Sequence, residues 1–127
     1  TINSGIASFG GQIVADGGIL SNGKVQIDQT ELVISSGVVT VTRGYHSLDG
    51  EDNNADDLDT INGGVDGMIV VLRANSDART MSVTESGNIK LSSTPFALND
   101  PKDTIMLIYQ GGGSYWAELS RSDNQPD

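Results

Sequence analysis

The residues of this 127-residue chain best suited to chemistry gather near its C-terminus, where the run SYWAELSRS carries the single tryptophan. Side chains alternate across a β-strand, so Tyr115, Ala117 and Leu119 share one face and Trp116, Glu118 and Ser120 the other. With the first set as core, Trp116 would stand outside beside a carboxylate, a pair able to stack on a sugar ring and accept its hydroxyl hydrogen bonds. Tyr115, Trp116 and Glu118 are therefore the candidate glycan contacts. The competing role for Trp116, and the favoured one, is a subunit interface, where tryptophan is enriched.

A second cluster is the acidic stretch DGEDNNADDLD, with Asp49, Glu51, Asp52, Asp56, Asp57 and Asp59. Oxygen-rich loops can bind Ca²⁺, but this one lacks the glycine and terminal glutamate of an EF-hand loop, and a solvated loop is expected instead. Asp59 and Arg73 would pair if their strands were neighbours. His46 is the only histidine, so any histidine-based triad or metal site would have to be built around it; a place on a strand surface or interface is expected. Cysteine is absent, which removes disulfides and thiolate metal sites. Paired carboxylates for glycoside cleavage are available by count, yet the acids crowd one turn-rich loop of a small chain. No catalytic residue, metal ligand or cofactor is assigned.

The formal net charge is −10, with 17 acidic residues against 7 basic ones scattered from Lys24 to Arg121. Such a surface repels phosphate backbones and anionic lipid, so neither nucleic acid nor membrane is an expected partner. No apolar run approaches the roughly 20 residues of a membrane-spanning helix. The chain begins at Thr1, as a processed or partial product would.

These residues must be positioned by strands. No window has the i, i+3, i+4, i+7 apolar spacing of a helix, whereas short Val/Ile/Thr runs bounded by Gly, Asn, Asp and Ser recur. Strands are predicted at 38–42, 45–48, 58–61, 68–74, 79–84, 88–91, 96–98, 104–110 and 114–121. The turns Asn62-Gly63-Gly64, Ser86-Gly87-Asn88 and Gly111-Gly112-Gly113 separate several of them. The expected fold is all-β: an antiparallel β-sandwich head of jelly-roll type over residues 38–122, with a flexible tail at 123–127. Residues 1–37 read as a glycine-rich β stem or arm. There GGQIV, GGIL and NGKVQI place Ile13, Ile19 and Val25 at steps of about six residues, each piece too short to bury its own face.

Two strands break the apolar/polar alternation of a half-wet sheet. In RTMSVT, Met81 and Val83 face inward between polar neighbours, and Ile89 and Leu91 of NIKL do the same. MIVVL (68–72) and IMLIY (105–109) are apolar at every position, so both of their faces need cover. No helix is available to supply it. A second copy of the chain is the expected cover, through Met68, Val70, Leu72, Met106, Ile108 and Trp116. Burying three such side chains would contribute roughly 4 to 9 kcal/mol per subunit before ordering costs. The alternative is the stem folded back on its own head. Cyclic symmetry follows for a homo-oligomer, with dimer and trimer both open.

The string DDLDTINGGVDGMIVVLRANSDARTMSV, then NIKL, then DTIMLIYQGGGSYWAELSRS, resembles β-rich modules at the ends of tailed-bacteriophage fibre and capsid-decoration proteins. In those modules a Leu-Asp-Thr-Ile strand, an Asn-Gly-Gly turn, a strand ending Leu-Arg-Ala and a closing Trp-x-Glu-Leu-Ser-Arg-Ser recur in that order. The likeness covers roughly residues 38–122. It implies a homotrimer whose intertwined β stem leads to a compact head. It also implies a structural role in the virion, as tail fibre or head fibre, assembled in the bacterial host cytoplasm against other virion proteins. Host attachment through surface glycan is the alternative function, and polysaccharide depolymerisation a less favoured one. The matching strings carry no catalytic residue.

Overall fold

The computed structural model describes residues 5–125, and among these the chain is all-β, with one 3-10 turn at Glu51–Asn53 and no α-helix. The strands are β1 (Thr30–Ile34), β2 (Val38–Thr40), β3 (Tyr45–Gly50), β4 (Asp56–Leu58), β5 (Thr60–Asn62), β6 (Ile69–Ala74), β7 (Met81–Val83), β8 (Ile89–Lys90), β9 (Phe96–Leu98), β10 (Thr104–Gln110) and β11 (Tyr115–Ser122). They form three sheets, ordered β1-β3-β6-β10-β11-β8, β2-β5 and β4-β7-β9.

Five of the eight strand pairings are parallel: β1/β3, β3/β6, β2/β5, β4/β7 and β8/β11. This corrects the antiparallel jelly-roll expectation. Parallel neighbours need a long crossover, usually a helix. Here the crossover is the rest of a coil: the chain travels round the walls of the molecule and returns one layer further on, as in a β-solenoid. β3 lies on β1, β5 on β2, β6 on β3 and β7 on β4. The glycine turns mark the corners, but a positive φ reports that the chain bends, not whether it doubles back. Gly63, at φ +92°, makes such a corner after β5, where a Cβ would collide with the Val41 carbonyl. After the last coil the chain reverses. β9 runs antiparallel to β7, and β10 antiparallel to β6, so that the β10–β11 hairpin closes one end of the stack.

The core is the inside of the coil, where like positions stack. Leu32, Leu48 and Ala74 form one row and His46, Leu72 and Ile105 another; Leu58, Val83 and Phe96 line a second wall, and Val39 with Ile61 a third. Trp116 fills the capped end. It is wholly buried, its indole N–H donates to the Ile61 carbonyl at 3.2 Å, and the Tyr109 ring meets it edge-on at 5.1 Å. Asn88 joins the same end by accepting the Ile61 N–H at 2.9 Å and donating to its carbonyl at 2.8 Å, which extends the β2/β5 wall with a side chain.

The unit boundaries also move. The head begins at Thr30 rather than Val38, because β1 is the first rung of the large sheet. Residues 123–125 are tied down rather than flexible: Asn124 donates from its backbone to Asp103 Oδ1 at 2.9 Å and from its side chain to the Lys102 carbonyl at 2.7 Å. Residues 126–127 of the expected tail, and 1–4 of the expected stem, lie outside the described residues. No helix among the described residues is long and apolar enough to cross a membrane.

Candidate functional site

Residues 5–29 form no regular strand, yet their geometry is periodic. Gly5, Gly11, Gly17 and Gly23 recur at six-residue steps, a stricter period than that of the aliphatics between them. The chain bends at Gly10–Gly11, Asp16–Gly17 and Asn22–Gly23 and runs without regular structure over the four residues between. Its aliphatic and aromatic side chains are in solvent, from 55% exposed at Ile27 to 92% at Ile6, with Ile13, Ile19 and Val25 among them. A Cβ built at Gly5, Gly10, Gly11, Gly17, Gly18 or Gly23 would meet nothing within 4 Å. Up to Gly23 the arm therefore stands clear of its own head and does not fold back over the sheet; only its root, at Val25 and Ile27, reaches the head.

Its root is fastened by consecutive residues. The Ile27 side chain lies over Gly44, its Cδ1 3.3 Å from where a Cβ would stand. The Asp28 carboxylate pairs with Arg43 at 2.9 Å. Gln29 accepts from Arg73 at 2.9 Å and donates to Ser47 at 3.0 Å. Beneath them, Nδ1 of His46 lies 2.9 Å from the Thr30 hydroxyl and 3.1 Å from the Thr30 carbonyl. Its Nε2 accepts the backbone N–H groups of Thr42 and Arg43, both at 3.1 Å. That pattern calls for a neutral ring protonated at Nδ1, and burial lowers the His46 pKa below its usual value. His46 is thus a core clamp joining the arm root to the 42–44 turn, not the surface or interface residue expected from sequence.

The outer face of the large sheet is the second unpartnered surface. Directly paired residues point the same way, so Tyr45, Val71 and Met106 form one row across β3, β6 and β10, and Ile69, Ile108 and Ala117 the next across β6, β10 and β11. These side chains are half-buried, and Ile69 is 46% exposed. Of the residues expected at an oligomer interface, Met106 and Ile108 are here. Val70 and Leu72 are not: both are fully buried in the chain's own core, and Met68 packs against that core. The apolar run is two-faced, as its composition implies, but the outward residues are Ile69 and Val71. Parity within an all-apolar run carries no signal; only the register to β3 and β10 sets it.

Trp116 requires the same correction, from interface or glycan contact to core. Beyond it the pairing shifts between Met106/Ser120 and Leu107/Glu118, leaving Leu119 as the extra residue of a β-bulge, 51% exposed. Glu118 stays on the inner side with Trp116, its side chain only 2% exposed. It takes Arg121 Nε at 2.7 Å and the Ser92 N–H at 2.8 Å, while the Arg121 guanidinium lies 4.9 Å over the Phe96 ring. The Arg121 hydrogen bonds hold the Glu118 carboxyl down at about 2. Tyr115 alone of the candidate glycan contacts keeps a half-exposed position, its hydroxyl donating to Gln110 at 2.9 Å.

The acidic stretch is taken apart by the fold. Asp49 is clasped by Arg79 at 2.5 and 2.6 Å, which lowers its pKa; Glu51 accepts the Ser36 N–H; Asp59 accepts Ser86 and Thr84 hydroxyls, both at 2.6 Å, which lowers its pKa too. Asp59 does not meet Arg73, which reaches Gln29 and the Ala74 carbonyl instead. Among the described residues no group of three or more acidic, histidine or cysteine side chains is placed to hold a metal ion. What the molecule offers is a bare apolar arm, a rigid root, and a half-covered sheet face. No known protein family matches the chain, and no curated protein is significantly similar to it.

Proposed function

We propose that this protein is a structural component of a tailed-bacteriophage virion, a homotrimeric tail fibre or head fibre whose arms wind together into a stem carrying three heads. The observation that carries the reading is the arm: eight large apolar side chains more than half exposed, six of them, from Ile6 to Leu20, on a stretch that stands clear of the head, with bends six residues apart. Isolated apolar residues on a surface need no explanation, but an unbroken series along a free segment marks an interaction surface. The four-residue runs between bends span roughly 13 Å at the rise of a strand. Three copies, each supplying one such run per layer, close a triangular cross-section and turn the aliphatics inward. The likeness of the head strings to phage fibre and decoration modules supports the virion setting.

Sedimentation equilibrium of the intact chain tests this: a species of three times 13.3 kDa is expected, and a lone 13.3 kDa chain at micromolar concentration overturns it. Immunogold labelling of purified particles then reports tail or capsid. The receptor-binding alternative has less support, since Trp116 and Glu118 face the interior.

A further inference from the structure

Between the arm root and the outer sheet face lies an open apolar cleft of about 280 Å³, lined by Val25, Ile27, Gly44, Tyr45 and Val71. For scale, an apolar cavity of about 150 Å³ accepts a benzene-sized group. The cleft continues into the apolar rows of the sheet, since Val71 pairs with both Tyr45 and Met106. Its floor stays low because position 44 is glycine: a Cβ there would press on the Ile69 carbonyl at 3.2 Å and on Ile27. One wall is rigid head, the other is arm held in place by the Asp28–Arg43 and Gln29–Arg73 contacts. The cleft is thus built and open at once.

We infer that this cleft is the seat for the arm of a neighbouring copy, which inserts the aliphatic side chains of Ile19 and Leu20 against Tyr45 and Val71. This rests on the proposed assembly and adds to it a contact between one copy's arm and the next copy's head. The chain carries both halves of the contact. Its arm carries an aliphatic pair, Ile19 84% and Leu20 89% exposed, and its head carries an open apolar cleft beside the arm root. Its own arm cannot fill the site, because Val25 and Ile27 already form the cleft wall and the preceding residues stand clear of the head. A head-to-tail contact of this kind closes into a ring when the rotation permits. In that ring each head is gripped by its own arm root and by a neighbour's arm.

The chain has no cysteine, so introduced thiols report cleanly. Leu20→Cys and Val71→Cys are prepared as separate proteins, mixed, dissociated and reassembled together, and oxidised. The expected result is a disulfide-linked pair of chains at least tenfold above that from Leu20→Cys mixed with Glu85→Cys, whose thiol lies at an exposed position away from the cleft. An oligomeric wild type with no excess of the Leu20–Val71 product overturns the cleft assignment and leaves the trimer standing; a monomeric wild type overturns both. In a second arm, Val71→Glu, which alters a half-exposed position, is expected to raise the dissociation concentration at least tenfold. Dissociation at the wild-type concentration counts against the seat.

Discussion

The arm and the coil are written in similar residues and end differently. Both alternate short aliphatic runs with Asp-Gly, Asn-Gly or Ser-Gly corners. In the coil, the parallel pairings bring residues such as Leu48 and Ala74, or Ile61 and Val39, one layer apart, and each rung buries its inner face on the previous one. In the arm the corners come every six residues and no run meets another. One polypeptide can wind three walls about a core when the walls recur at long enough intervals to stack. With a corner every six residues and no stacking within the chain, the arm leaves its aliphatics bare, and in the proposed assembly other copies supply the missing walls. The same local chemistry thus yields a head that buries its aliphatics and an arm that leaves them in solvent.

The contrast is broken most severely by charging the arm. Ile13→Asp, Ile19→Asp and Val25→Asp together are expected to abolish assembly, leaving a 13.3 kDa species by sedimentation, while circular dichroism of the head persists. If the charged arm still assembles, the arm is not the unpartnered region. In the head, Trp116→Ala should cost about 3 to 5 kcal/mol, since it empties the capped end and leaves the Ile61 carbonyl without its indole donor. Urea denaturation followed by circular dichroism reads this. Ile19→Ala in the arm should leave the unfolding of the head within about 0.5 kcal/mol of wild type.

Acid sharpens the comparison, because the ionic clasps sit in the head and its joint. The Glu118 carboxyl, at about 2 when folded against an ordinary 4.5, contributes stability that is fully present above pH 4.5 and is lost as pH falls toward 2. That shift corresponds to roughly 3 kcal/mol. Glu118→Gln should flatten the pH dependence of urea stability across this window. His46 acts at milder pH and by less. Its folded pKa is lowered by burial, so its contribution is complete above about 6.5 and declines as pH drops through the folded value. His46→Gln, which keeps an acceptor for the 42–43 turn but does not titrate, should remove the slope just below pH 6.5. If the slope survives, another group carries it.

Much of the head is legible in the amino-acid order. Phe96–Leu98 and Thr104–Gln110 are strands over the expected residues, and Met81, Val83 and Ile89 point inward as their alternation predicts. β1 falls outside the predicted strands because TELVI follows the glycine-rich run and looks like its continuation; its place is set by pairing with β3, sixteen residues on. The 58–61 strand is interrupted at Asp59, whose backbone N–H turns to the Gly37 carbonyl at a corner. The joint residues 27–30 offer no motif at all. Asp28, Gln29 and Thr30 are common polar residues that gain a role only because Arg43, Arg73 and His46 arrive from distant strands.

By itself the amino-acid order determined that the chain is β-structured, where it bends, and that its N-terminal aliphatics are too thinly spaced to form a core. These properties depend on neighbours along the chain: side-chain period, backbone freedom at glycine, and the length of each apolar run. Tertiary structure alone decided that the strands stack in parallel coils, that Trp116 and Glu118 face inward, and that Ile69 and Val71 face out. Those outcomes turn on register between distant segments, and a shift of one residue reverses every side chain in a strand.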